Sequence, residues 1–256
     1  MKNFFVLTAL MLLTMLYNGC GRKGSPKQAV VTPADTQTVA DTGFTGIRQY
    51  FSQKTLSYQV TFKNGVKQGL MKTFYPGGKT RVTFWYENGL RQDTAVWFFE
   101  EGGIFRKTPF KNDSINGTQI QYYRNGRIRA KMSFVDGLRT GDLEEYHDNG
   151  NKITDYPAVV IKTKDNYTVN GTFNIYLSLN KPDIKVNFYR GDFINGLFNP
   201  KIVKKINSSD FTGFLQLGKS TSPGISSAEI IAEISTTLGN KYLVRKSVPL
   251  PYKDLK

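Results

Sequence analysis

Between residues 42 and 156, short runs of β-branched and aromatic residues alternate with breaks rich in Gly and Asn, and the breaks recur every 24 residues. Gly65, Gly89, Asp113 and Gly137 keep that step, as do Gly78, Gly102, Gly126 and Gly150, and Gly69, Asp93, Gly117 and Gly141. Aromatic residues follow the same beat. Phe62, Tyr86, Phe110 and Phe134 form one register, and Phe74, Phe98, Tyr122 and Tyr146 a second. Tyr75, Phe99, Tyr123 and His147 run beside the second. The pairs Asn64-Gly65, Asn88-Gly89, Asn125-Gly126 and Asn149-Gly150 tolerate the positive φ of tight turns, so each unit predicts one β-hairpin. The units together predict an antiparallel meander or a solenoid-like ribbon, opened by a half-unit at Tyr50-Phe51, 24 residues before Phe74-Tyr75.

Strand alternation assigns faces to these rows. Phe62, Tyr86, Phe110 and Phe134 are expected to be a buried row. The other two aromatic rows occupy adjacent positions, so they face opposite ways and one of them is left exposed or half covered. Tyr75, Phe99 and Tyr123, with Arg81, Arg127 and Arg129 nearby, are therefore the candidate binding surface.

The 24-residue beat stops near Tyr156-Pro157. Residues 157–256 instead predict seven short strands: 159–164, 172–179, 184–189, 201–206, 211–217, 228–236 and 242–248. Turns at Asn170-Gly171, Pro223-Gly224 and Gly239-Asn240 separate several of them. The expected fold class is all-β: an antiparallel β-hairpin repeat ribbon with a 24-residue period, followed by an immunoglobulin-like β-sandwich.

The segments Tyr123-Arg124-Asn125-Gly126 and Phe134-Val135-Asp136-Gly137-Leu138-Arg139-Thr140-Gly141 resemble the MORN-like repeat variant of YwqK-type proteins. The resemblance covers residues 42–156. It implies the hairpin-repeat fold and, through the label such proteins often carry, an antitoxin or immunity component.

The first twenty residues have a different pattern. Lys2 precedes a nearly unbroken apolar run from Phe4 to Leu16, too short for a bilayer span of about 20 residues. Gly19 then leads into Cys20, the single cysteine. The segment resembles the loose lipobox of Bacteroidota lipoproteins, with Tyr17 where Leu is usual. The expectation is a signal peptide at 1–19, lipidation at Cys20 and a flexible linker over 20–41 that reaches at most about 70 Å. Lipid chains on Cys20 would hold the protein to a membrane. Arg22 and Lys23 stand where surface-exposed lipoproteins of that phylum carry acidic residues, which points to the periplasmic leaflet of the outer membrane. A lipid anchor also fits poorly with neutralising a cytoplasmic toxin.

Lys and Arg number 35 against 20 Asp and Glu, a formal charge of +15, or +14 once Lys2 is removed. The excess is spread over both parts of the chain, as expected of a solvated surface rather than a nucleic-acid groove. One histidine and one cysteine exclude a two-histidine metal site, and no cofactor is expected. The pairs Glu100-Glu101 and Glu144-Glu145 are adjacent in sequence, so on strands they point to opposite faces; they are expected to be solvated strand-edge acids. The stretch 213–220 satisfies G-x-x-x-x-G-K-S, yet its Phe-Leu-Gln-Leu interior predicts a strand, and Pro223 follows where a helix would be needed. No nucleotide partner is expected. Asp93-Thr94-Ala95 and Asp113-Ser114-Ile115 resemble O-glycosylation sequences of Bacteroidota, making Thr94 and Ser114 candidate modification sites. The functional expectation is a non-enzymatic envelope lipoprotein that binds or scaffolds an envelope protein. The alternatives are an antitoxin or immunity component, or an envelope glycan-binding module.

Overall fold

The computed structural model describes residues 43–209 and 211–256, so the expected signal peptide, Cys20 and the linker lie outside the described residues. The repeat stretch opens with β1 (Gly46–Ser52), β2 (Thr55–Lys63), β3 (Val66–Phe74), β4 (Thr80–Glu87) and β5 (Leu90–Phe98). It continues with β6 (Ile104–Lys111), β7 (Ser114–Ile115), β8 (Gly117–Tyr122), β9 (Ile128–Val135) and β10 (Leu138–Glu145). Each strand pairs antiparallel with its chain neighbour, in the order β1-β2-β3-β4-β5-β6-β8-β9-β10, with β7 a short extension on β6. The ribbon is an open meander.

Its two edges use different turns. On one, Asn64-Gly65, Asn88-Gly89, Asn112-Asp113 and Asp136-Gly137 all take φ of +48 to +82°, the signature of two-residue type I′ turns. On the other, the amides of Tyr75, Phe99, Tyr123 and His147 donate to the carbonyl four residues on. Gly78, Gly102, Gly126 and Gly150 donate back to those same four residues, closing three-residue loops that end in a positive-φ glycine. One turn of each kind makes the 24-residue beat. Units are also stitched to each other: Gly65, Gly89, Asp113 and Gly137 donate their amides to Phe44, Lys67, Arg91 and Ile115 of the preceding unit, at 2.8–3.1 Å.

The remaining chain forms β11 (Val159–Asn166), α1 (Tyr167–Asn170), β12 (Thr172–Leu179), β13 (Val186–Arg190) and β14 (Leu197–Phe198). After these come β15 (Lys204–Lys205), β16 (Ser208–Ser209), β17 (Thr212–Gly218), β18 (Ser227–Ser235) and β19 (Lys241–Pro249). Two antiparallel sheets result, ordered β11-β12-β17-β16 and β15-β13-β18-β19. They share one core, in which Ile175, Leu177, Phe188, Leu217 and Ile234 are fully buried. Gly213 is required there, since a Cβ would come within 2.7 Å of the Phe188 ring.

The expected strand over 201–206 shrinks to β15. Asn199 Oδ1 accepts from the Lys201 amide, and the Asn199 carbonyl accepts from Ile202; both bonds hold the chain in a turn instead. The phosphate-loop decoy at 213–220 is β17 and its exit. Lys219 lies over the Tyr167 ring, and the Ser220 amide donates to the Asp254 carbonyl.

Candidate functional site

The inward face of the repeat sheet changes character along its length. A continuous cross-strand row runs Tyr50, Tyr58, Thr73, Val82, Trp97, Arg106, Gln121, Ala130 and Glu145. From β1 to β5 the face is apolar: Val60, Phe62, Met71, Val82, Phe84, Tyr86 and Ala95 form one buried cluster. Phe84 packs edge-on against Trp97 and Phe110. From β6 onward several equivalent positions become polar, at Arg106, Thr108, Gln119 and Gln121, while Ala130 and Met132 stay apolar. Arg106 replaces a valine and stacks over the Trp97 ring at 4.0 Å, and burial holds its guanidinium below its ordinary pKa.

The polar end is where the second part docks. The tip of the β18–β19 hairpin meets β8–β10 in a directional hydrogen-bond chain. Arg129 donates to Gln121 Oε1 (2.8 Å), and Gln121 Nε2 to Asn240 Oδ1 (2.9 Å). Asn240 Nδ2 and Thr236 Oγ1 both donate to Glu145 Oε1 (2.7 Å each). Arg129 also donates to the Leu238 carbonyl and Arg139 to that of Lys241. β14 adds itself to the edge of β10, Tyr156 stacks on Tyr242 at 4.3 Å, and burial followed by the neighbouring Glu145 pushes the Tyr156 hydroxyl up.

Glu145 corrects the expectation of a solvated acid. It is 0% exposed, while its neighbour Glu144 faces outward and pairs with Lys152 at 2.7 Å. Bonds from Lys152 and then Tyr146 hold Glu144 below the usual carboxylate range. Gln121 was not singled out from the sequence, and Asn240 was expected only as a turn residue. The available signal was the register Thr73, Trp97, Gln121, Glu145, which carries a polar residue where a sheet core wants an apolar one.

The candidate binding surface is half covered and lies at the hairpin ends. Tyr75, Phe99 and Tyr123 begin the three-residue loops and are half-buried rather than displayed mid-strand. Tyr75 Oη donates to the Phe98 carbonyl (2.7 Å) and Tyr123 Oη to that of Tyr146 (2.6 Å), tying each unit to the next. Burial, first among the causes, raises both hydroxyl pKa values. Six residues beyond them stand Arg81 and Arg129, whereas Phe99 has Phe105 at that spacing and packs edge-on against it at 5.3 Å. Tyr with Arg and Phe with Phe are thus alternative fillings of one structural joint. Arg129 belongs to the docking chain above, Arg127 donates to the Asp148 carbonyl, and Arg81 is half-buried. In the row expected to be buried, Phe62 and Tyr86 are buried, while Phe110 and Phe134 are half-buried.

The outward face holds the free surface. Ile47, Val66, Leu70, Trp85 and Leu90 are 38–59% exposed, all on the outward side of β1–β5. Leu70 and Trp85 are register partners, and the indole reaches across Gly69, where an added Cβ would meet it at 3.9 Å. Lys63 and Lys72 stand on the same face. In β6–β10 only Val135 is a comparably exposed outward apolar residue among the described residues. Contiguous exposed apolar surface rimmed by polar groups marks an interaction site. Thr94 is exposed on this face of β5, its amide turned onto Asp93 Oδ1; Ser114 is half-buried just after a type I′ turn. Among the described residues no cluster of His, Cys, Asp and Glu is arranged to hold a metal ion, and no helix is long and apolar enough to cross a membrane.

A family model described as a MORN repeat variant matches residues 115–136, which span the end of β7, β8, β9 and the first residue, Asp136, of the type I′ turn that follows. The repeat is therefore similar to MORN repeats. No curated protein matches the chain.

Proposed function

We propose that this chain is a non-enzymatic binding lipoprotein of the cell envelope, and that the outward face of β1–β5 is where it takes hold of a protein partner. The observation that carries the reading is the Ile47–Val66–Leu70–Trp85–Leu90 patch, whose exposed apolar area nothing in the fold requires. An exposed Trp beside apolar neighbours is the composition of an interface hot spot. The similarity to MORN repeats supports a binding role. The lipobox-like segment ending in Cys20 supports anchoring, on the periplasmic leaflet of the outer membrane, with residues 20–41 giving reach. The strand orders β11-β12-β17-β16 and β15-β13-β18-β19 support an immunoglobulin-like sandwich, serving as a rigid brace for the far end of the repeat sheet.

The test is co-purification from membranes solubilised in mild detergent, with wild type beside Trp85→Asp and Cys20→Ser. The expected result is one envelope protein recovered stoichiometrically with wild type, and binding about 30-fold weaker or lost with Trp85→Asp. Cys20→Ser should leave the membrane fraction. Equal recovery with Trp85→Asp would rule out the patch, and a membrane-bound Cys20→Ser would rule out the anchor.

A further inference from the structure

The outward face of the sheet β11-β12-β17-β16 carries a second chemical pattern, independent of the repeats. Tyr176 on β12 and Phe214 on β17 are register partners with ring centroids 5.2 Å apart and a tilt of 42°. They are 37% and 42% exposed, although the alternate residues Ile175, Leu177 and Leu217 on the same strands are fully buried. One rung along, Asn174 pairs with Gln216, and Gln216 Nε2 donates to Asn174 Oδ1 at 3.0 Å. On β11, Lys162 pairs with Tyr176 and Lys164 with Asn174, so two exposed ammonium groups flank the rings on one side. The outward positions of β11, β12 and β17 carry no carboxylate.

Core stability does not call for two aromatic rings on a solvent face, and the choice of neighbours narrows what they meet. Adjacent rings offer flat apolar area at little entropic cost, and the exposed Gln216 amide beside them offers both donor and acceptor, while Asn174 is buried and orients it. That combination matches a sugar ring, which presents a C–H face and a rim of hydroxyls. Lysines on one flank, with no carboxylate at the described outward positions of these strands, favour a sugar bearing a carboxylate. A peptide adding itself as a strand beside Tyr176 is disfavoured, because β12 is paired on both edges, by β11 and by β17. The face is open rather than a pocket, as suits a polymer gripped along its length.

We infer that this face binds an anionic polysaccharide of the uronic-acid type, with Tyr176 and Phe214 stacking on the sugar ring, the exposed Gln216 amide, held in place by the buried Asn174, meeting its hydroxyls, and Lys162 and Lys164 meeting its carboxylate. The site lies apart from the Trp85 patch and does not depend on it.

Affinity gel electrophoresis of the full chain in mild detergent tests this. The gels contain polygalacturonate, neutral dextran or polyglutamate, the last matching charge without sugar. Expected are retardation by polygalacturonate alone, and an apparent affinity about tenfold lower for Tyr176→Ala/Phe214→Ala and for Lys162→Gln/Lys164→Gln. Lys162→Gln/Lys164→Gln should keep the wild-type melting temperature, Tyr176→Ala/Phe214→Ala should melt a few degrees lower for loss of the cross-strand pair yet stay folded in the gel, and Trp85→Asp should run as wild type. No retardation by polygalacturonate, equal retardation by dextran or polyglutamate, or an aromatic double variant that migrates like wild type would each overturn the assignment.

Discussion

Thr73 and Glu145 stand at the same position of the repeat, three units apart, and the surroundings they meet are opposite. Thr73 is buried among apolar neighbours, and its hydroxyl has no hydrogen-bond partner among the described residues. Glu145 is buried more completely, yet its Oε1 receives hydrogen bonds from Thr236 and Asn240 of the docked hairpin, while its Oε2 has no partner among the described residues. The first half of the sheet closes its inward face with its own aromatic residues. The second half leaves polar groups that only the sandwich can satisfy. One backbone plan thus yields a self-sufficient half with a free outward face and a braced half with a committed inward one. The difference lies in a few side chains, and it underlies the proposal that β1–β5 carries the binding face.

The largest expected effect comes from opening the apolar half. Phe84→Ala removes the ring that Tyr86, Trp97 and Phe110 pack around, and should cost about 3–5 kcal/mol in urea unfolding. Next is Glu145→Ala, which leaves the Thr236 and Asn240 donors buried and unpaired, at roughly 2–3 kcal/mol. Its signature is local: limited proteolysis should cut near Tyr156-Pro157 and amide exchange should rise at the β18–β19 turn, with β1–β5 unchanged. Smaller again are Tyr75→Phe and Tyr123→Phe, each losing one hydroxyl bond to the following unit and about 1 kcal/mol. The smallest effect carries the sharpest contrast. Thr73→Val, at Glu145's own position in the repeat, should be neutral or slightly stabilising in thermal melts, because it removes a buried hydroxyl that bonds to nothing.

Most of the architecture was legible because glycines and aromatics mark it. The 24-residue beat located both turn types, and the strand expected at 172–179 is β12, residue for residue. The turns obscured the site. Tyr75, Phe99 and Tyr123 keep perfect time, which made them look like a displayed ladder, but loops of three residues place them at the hairpin ends and direct the tyrosine hydroxyls at backbone carbonyls. The outward patch keeps no such time. Leu70 is followed by Thr94, Thr118 and Asp142 at the same position, and Trp85 by Pro109 and Ser133, so no register draws attention to it. Glu145 was hidden differently. Whether an acid on a strand is solvated or buried depends on what docks against it, and its partners at 236 and 240 are about ninety residues away in the chain.

Leu70 and Thr118 allow the two halves to be compared directly in living cells, since they occupy one outward position two units apart. A photo-crosslinking p-benzoylphenylalanine would replace each in turn in the full-length chain. Crosslinking at position 70 to one envelope protein, with none at position 118, is the expected result. Equal adducts at both positions, or adducts at 118 alone, would contradict a binding face confined to β1–β5.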